Sequence, residues 1–153
     1  MPDRADFPNL GNRYLIRPED TGGRFALIEH TIRPRALAAP THRHEREDEY
    51  SFVLEGRMGA QIGDEVLEAG PGELVVKPRG VPHAFWNAGD EDARLLELIS
   101  PGEFANYFAE MAPHLNVAGP PDFEQVGEIQ ARYALEMDVE SIGPLMERHG
   151  LIA

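Results

Sequence analysis

Cysteine is absent from the 153 residues, which excludes disulfides and thiolate metal sites. Basic residues are scarce: 14 lysines and arginines stand against 27 aspartates and glutamates, a formal charge of −13. A chain this acidic is repelled by phosphate backbones and by anionic membrane surfaces, so neither nucleic acid nor a membrane is an expected partner. No apolar run approaches the roughly 20 residues needed to span a bilayer. The opening stretch MPDRADFPNLGNRY has no apolar segment of the kind a secretory signal requires. The cytoplasm is therefore the expected location. The length suits one domain with a real core and is short for two.

What is present reads first as β-structure. Residues 1–23 are rich in Pro, Gly, Asp and Arg and form an irregular lead-in, with one short strand at Tyr14–Arg17. Strands are expected over Arg24–Ile32, Tyr50–Glu55, Met58–Ile62, Glu65–Ala69, Leu74–Lys77, His83–Asn87 and Arg94–Ile99. Gly63-Asp64 fits a two-residue type II′ hairpin turn. Short strands with frequent turns point to an all-β barrel or sandwich over residues 24–100. The texture changes at Ser100, where Ser-Pro-Gly-Glu reads as a helix cap. Phe104, Phe108, Met111 and Leu115 then recur at helical spacing and read as core packing. Asp122 can cap a second helix whose Val126, Ile129, Tyr133 and Met137 share a side, and a third runs from Ile142 to His149, stopped by Gly150. Residues 101–153 thus form a helical extension packed on the barrel.

Two segments carry the chemistry. His42 and His44 alternate onto one face of a strand, and Glu49 follows. Fifteen residues, Arg57 to Pro71, separate this stretch from Gly72, Pro78, Gly80, His83 and Asn87. Three imidazoles and a carboxylate are a donor set that borderline divalent metals prefer. Ser51 and Val53 share the parity of Glu49, and Phe85 that of His83; Asn87 keeps the parity of His83 if the strand stays regular. These four are the candidate ligand-binding residues. Trp86, of opposite parity, falls on the outer face under a helix or at a dimer contact. His30 could face the interior, but a lone strand histidine is more often surface or core. His114 and His149 sit near helix C-termini, where positive charge is favoured. Glu45, Glu47 and Asp48 read as a solvated acidic turn. Arg79 reads as exposed, with a possible role toward an anionic substrate.

These residues resemble the two motifs of the cupin superfamily. In the first, His42, His44, Glu49 and Gly56 match at the required spacing, and Ala36 stands where a glycine is usual. In the second, Gly72, Pro78, Gly80, His83 and Asn87 all match. The resemblance implies a double-stranded β-helix (jelly-roll) barrel with His42, His44, Glu49 and His83 as ligands of one divalent metal inside it. It also implies a homodimer. The helical tail, ending Arg148-His149-Gly150-Leu151, is similar to small cupins labelled quercetin-dioxygenase-like.

Three neutral imidazoles and one carboxylate leave a divalent metal with a formal charge of about +1, which favours an enolate-like ligand. The expectation is therefore a metal-dependent dioxygenase acting on a small hydroxy-keto or phenolic compound, with Glu49 serving as ligand and as catalytic base. Iron, manganese, nickel, copper or cobalt would serve oxygen chemistry; zinc would serve Lewis-acid isomerisation or hydrolysis. The alternatives are a non-catalytic small-molecule-binding protein and a metal-assisted isomerase or epimerase of a sugar or keto acid.

Overall fold

The computed structural model describes residues 2–152. Two five-stranded antiparallel sheets face each other as a jelly-roll barrel. One holds, side by side, β1 (Leu10–Ile16), β2 (Ala26–Ile32), β9 (Ala93–Ser100), β4 (Asp48–Glu55) and β7 (Leu74–Lys77). The other holds β10 (Leu135–Met137), β3 (Leu37–His44), β8 (His83–Asn87), β5 (Met58–Ile62) and β6 (Glu65–Ala69). Helices α1 (Asn106–Leu115), α2 (Phe123–Arg132) and α3 (Ile142–His149) complete the described chain.

Strict alternation builds the inner wall. In β2 the buried residues are Ala26, Ile28, His30 and Ile32; in β9 they are Ala93, Leu95, Glu97 and Ile99. Each fully buried Ile, Leu or Val stabilises the barrel by about 1.5–3 kcal/mol relative to exposure. Polar residues interrupt the apolar alternation at inward positions, which is the first sign that the interior is more than packing.

The β5–β6 hairpin turns on Gly63 and Asp64, with Ile62 paired to Glu65. Gly63 has φ 60°, the positive value that a type II′ turn needs at its first central position. Strand β8 is buried on both faces because α3 covers its outside. Trp86 packs there with Leu37, Leu145 and Leu151 and stacks on His149 at 4.2 Å. Gly59, its cross-strand neighbour, leaves the necessary slot: a Cβ there would stand 2.0 Å from Trp86 Nε1.

Three expectations are corrected. The lead-in is less irregular than its composition: β1 begins at Leu10 and pairs with β2, because Leu10, Asn12 and Tyr14 alternate inward. Ser100 does not cap a helix; it ends β9 opposite Asp48, and its hydroxyl donates to the Arg24 carbonyl at 3.1 Å. A 3-10 turn, Gly102–Ala105, follows before α1 starts at Asn106. Asp122 does cap α2, accepting from the Glu124 and Gln125 amides, but the helix stops at Arg132. Ala134 takes φ 51°, and Leu135–Met137 becomes strand β10, paired with His42–His44 of β3. The C-terminal extension therefore contributes an edge strand to the barrel as well as helices.

Candidate metal centre

Each sheet contributes to one cluster. His42 and His44 project inward from β3, and His83 from β8 lies opposite His42 in the antiparallel register. Glu49 comes from β4 in the other sheet. One donor atom from each of the four lies within 4.8 Å of the rest, and all four residues are buried. A common cation about 2.0–2.2 Å from each donor asks for donor spacings of up to about 4.3 Å, a small closing of the cluster.

The second nitrogen of His42 and of His83 is already held. His42 Nδ1 donates to the Pro40 carbonyl at 2.7 Å, and His83 Nδ1 to the Val81 carbonyl at 3.2 Å. A carbonyl can only accept, so both rings carry hydrogen on Nδ1 and present a bare Nε2. His44 Nδ1 lies 3.4 Å from Glu47 Oε1, an ionic contact without hydrogen-bond geometry, while its Nε2 is 3.0 Å from Glu49 Oε1. Backing of ligating imidazoles by carbonyls and carboxylates is the usual support of a metal site. His83 Nε2 is buried, has no hydrogen-bond partner and lies 3.4 Å from Glu49 Oε1. An orphaned, bare nitrogen facing a carboxylate is the environment a cation would satisfy. The donor set fits a divalent transition metal.

Electrostatics agree. Burial pushes the His42 imidazole well down, helped by His83 and His44, and burial likewise lowers His83. Burial alone would raise the Glu49 carboxyl, but His44 and Lys77 outweigh it and hold it well below the usual carboxylate range. Burial opposes charge on His44 too; Glu49 and Glu47 prevail and raise it to about 9.

His42, His44 and Glu49 of the cluster line a cavity of about 530 Å³. Phe85, Phe104, Phe108, Met111 and Leu135 supply much of its apolar lining. Phe104 meets the His44 ring edge-on at 4.4 Å. Of the residues expected to line it, Phe85 does. Ser51 and Val53 are fully buried in the β4 wall, outside the lining. Asn87 is also outside it: its amide donates to the Ile32 and Glu91 carbonyls, and its Oδ1 accepts from the Gly89 amide, so it ties a loop.

Two features depart from the sequence reading of the acidic turn. Glu47 is buried against His44 rather than solvated. Asp48 accepts from the Arg79 backbone and guanidinium, so Arg79 is spent on a strand–turn contact. A third feature joins His30, whose interior position was the less expected of its two readings, to two residues not singled out from the sequence, Lys77 and Glu97. Lys77, Glu97 and His30 also line the cavity, and Lys77 Nζ donates to Glu97 Oε2 at 2.8 Å. The signal was parity: Lys77 follows Val75 by two, and Glu97 sits between Leu95 and Ile99.

The family model described as "Cupin domain" matches residues 28–99, the span that carries the cluster. The polyketide cyclase RemF from Streptomyces resistomycificus superposes with a TM-score of 0.53 and 35% identity, covering 66% of this chain and 69% of that one. The chain belongs to the cupin superfamily. Two curated relatives are similar over 89 residues: "Polyketide synthase CurC" of Streptomyces cyaneus at 27% identity, and "Tetracenomycin polyketide synthase protein TcmJ" of Streptomyces glaucescens at 26%. These alignments cover 58% of this cupin and only 58% and 60% of the relatives' lengths. Among the described residues no helix is long and apolar enough to cross a membrane.

Proposed function

We propose that this cupin is a metal-dependent enzyme whose substrate is a phenolic or poly-β-ketone compound and whose reaction is ring closure. The observation that carries this reading is three imidazoles and a carboxylate converging beside an aromatic-walled cavity. The likeness to a polyketide cyclase and to two polyketide synthase proteins supports the substrate class. When bound by His42, His44, Glu49 and His83, a divalent metal would supply a Lewis acid that polarises a ketone oxygen.

The chain's own residues do the rest. Glu49 is held ionised, so one of its oxygens can accept the acidic proton from a carbon between two carbonyls. The enolate carbon then bonds to a second carbonyl carbon, whose oxygen recovers a proton; loss of water leaves the ring. Phe85, Phe104 and Phe108 keep bulk water from the enolate. The dioxygenase expected from the family resemblance begins with the same deprotonation and differs in consuming oxygen. A sugar-phosphate reading is weaker, because the interior cation Lys77 is already neutralised by Glu97. A homodimer is supported by the family and by exposed apolar side chains on β4 and β7, Phe52, Leu74 and Val76; light scattering tests it.

The deciding experiment supplies a poly-β-ketone to protein loaded separately with zinc, nickel, iron and manganese, with and without oxygen. Ring closure without oxygen supports the cyclase. Strict dependence on oxygen uptake selects the dioxygenase. No turnover with any metal, with tight ligand binding, refutes both. His83→Ala should cut metal content sharply while the barrel still folds.

A further inference from the structure

Glu97 is a buried carboxylate with one oxygen crowded and the other idle. Its Oε2 accepts from Lys77 Nζ at 2.8 Å and from the Ser51 hydroxyl at 2.9 Å. Its Oε1 is buried and has no hydrogen-bond partner. Buried acceptors are rarely left so, and an unsatisfied one calls for an explanation. The ion pair itself needs one as well. Both members are 1% exposed, and a buried pair of this kind is often no more stabilising than apolar residues of similar volume.

The surroundings are short of a proton. Asn12 Nδ2 donates to the Ala5 carbonyl, which turns its Oδ1 toward His30 Nδ1 at 2.7 Å. His30 therefore carries its hydrogen on Nδ1, and burial, with Lys77 close by, lowers its pKa to about 3. Its Nε2 is thus a second acceptor, 3.5 Å from Glu97 Oε2. Two acceptors stand side by side at the cavity wall, with Phe85 beneath Lys77 Nζ at 4.5 Å to the ring centre. Lys77 repels a second cation here, and Glu97 repels an anion. What fits is a neutral hydroxyl donor on an aromatic ring.

The position is set by register. Glu49 pairs with Lys77 and Ile99, and Ser51 pairs with Glu97. The Glu97 level is therefore two residues along β4 from Glu49, roughly 6.5–7 Å up the wall. We propose that Glu97, held by Lys77 and Ser51, is a hydroxyl-anchoring site that selects ligands bearing a phenolic or enolic O–H about one fused-ring width from the oxygen at the metal cluster. This deepens the reading of the cavity as a phenol-binding site and rests on it.

Calorimetry on the metal-free protein tests the anchor without turnover. The probes are 2,7-dihydroxynaphthalene and 7-methoxy-2-naphthol, which differ by one donor. The native protein should prefer the diol roughly tenfold or more, the value of a hydrogen bond to a charged group. In Glu97→Gln, and in the double variant Lys77→Met/Glu97→Leu, that preference should fall to about twofold or less. The double variant removes both charges together, so it avoids stranding either one; a cooperative melt shows that it folds. Equal affinity of the native protein for both probes, binding of neither, or an undiminished preference in folded variants overturns the anchor. If the preference tracks Glu97 yet no metal-loaded protein turns over a poly-β-ketone, the anchor stands and the ring-closure reading falls.

Discussion

Loading the cluster with a divalent metal should expel one proton and should bind more tightly as pH rises. In the metal-free protein, charge collects on His44: Glu49 is 3.0 Å from its Nε2 and Glu47 is 3.4 Å from its Nδ1, and together they overcome burial to raise its pKa to about 9. His42 and His83 are pushed the other way by burial and are neutral. An imidazolium has no lone pair on Nε2, so a metal must displace that proton. Near pH 7 the displacement spans two pH units, which costs about 2.7 kcal/mol, or about 100-fold in affinity. Affinity should rise about tenfold per pH unit between about 7 and 9 and then level off. Titration calorimetry with zinc in two buffers of different ionisation enthalpy reads the protons directly, and about one per metal is expected near pH 7. A release near zero, or a flat affinity over that range, refutes the charge assignment. The same raised pKa works on the metal-free fold with a definite sign. Its stabilising contribution is full below the unfolded imidazole value of about 6.5 and is lost as pH rises through about 9.

Other outcomes follow from particular contacts. Glu47→Gln should weaken metal binding by about 10–100-fold when measured above about pH 9, where His44 has no proton left to displace, since an outer carboxylate that supports a ligating imidazole is worth that much; competition with a chromophoric chelator measures it. Asn87→Ala leaves the Ile32 and Glu91 carbonyls and the Gly89 amide without their partners. It should cost about 2–4 kcal/mol in denaturant unfolding while metal content is unchanged, which separates a loop tie from a ligand contact. Gly59→Ala forces a Cβ into Trp86. A loss of about 1–3 kcal/mol is expected, with a red-shifted emission because Trp86 is the single tryptophan.

The inner wall was legible because strands of period two write their buried face into the sequence, and because Gly63-Asp64 has a turn chemistry of its own. The four-residue cluster was legible for a different reason. Its spacing encodes which strands must meet, and β3, β8 and β4 do bring His42, His83, His44 and Glu49 together. What failed was anything that local composition decides badly. Leu10–Tyr14 looked irregular among prolines and glycines, yet alternation and pairing with β2 make it a strand. Leu135–Met137 continued a helical pattern, but the free edge of β3 captures it. Tertiary pairing overrides propensity in both places.

The polar interior was hidden for a deeper reason. A charged residue at an inward position of a strand has two readings, a register slip or a buried pair, and one strand cannot distinguish them. Lys77 closes a strand otherwise apolar, and Glu97 alternates with Leu95 and Ile99, so neither strand by itself says whether its charge faces water or the interior. Only the β4 register, which sets Lys77 against Glu49 and Ser51 against Glu97, shows that the two charges share one cavity. Glu47 was misread on the same ground: its neighbours Glu45 and Arg46 are exposed, and the bend between β3 and β4 alone turns its carboxylate inward toward His44. A mutational series measured above about pH 9 should reflect this difference. Replacing Glu45, which is exposed, leaves metal affinity unchanged, whereas replacing Glu47 lowers it; equal effects from both would mean that surface charge, and not the oriented contact to His44, sets the affinity.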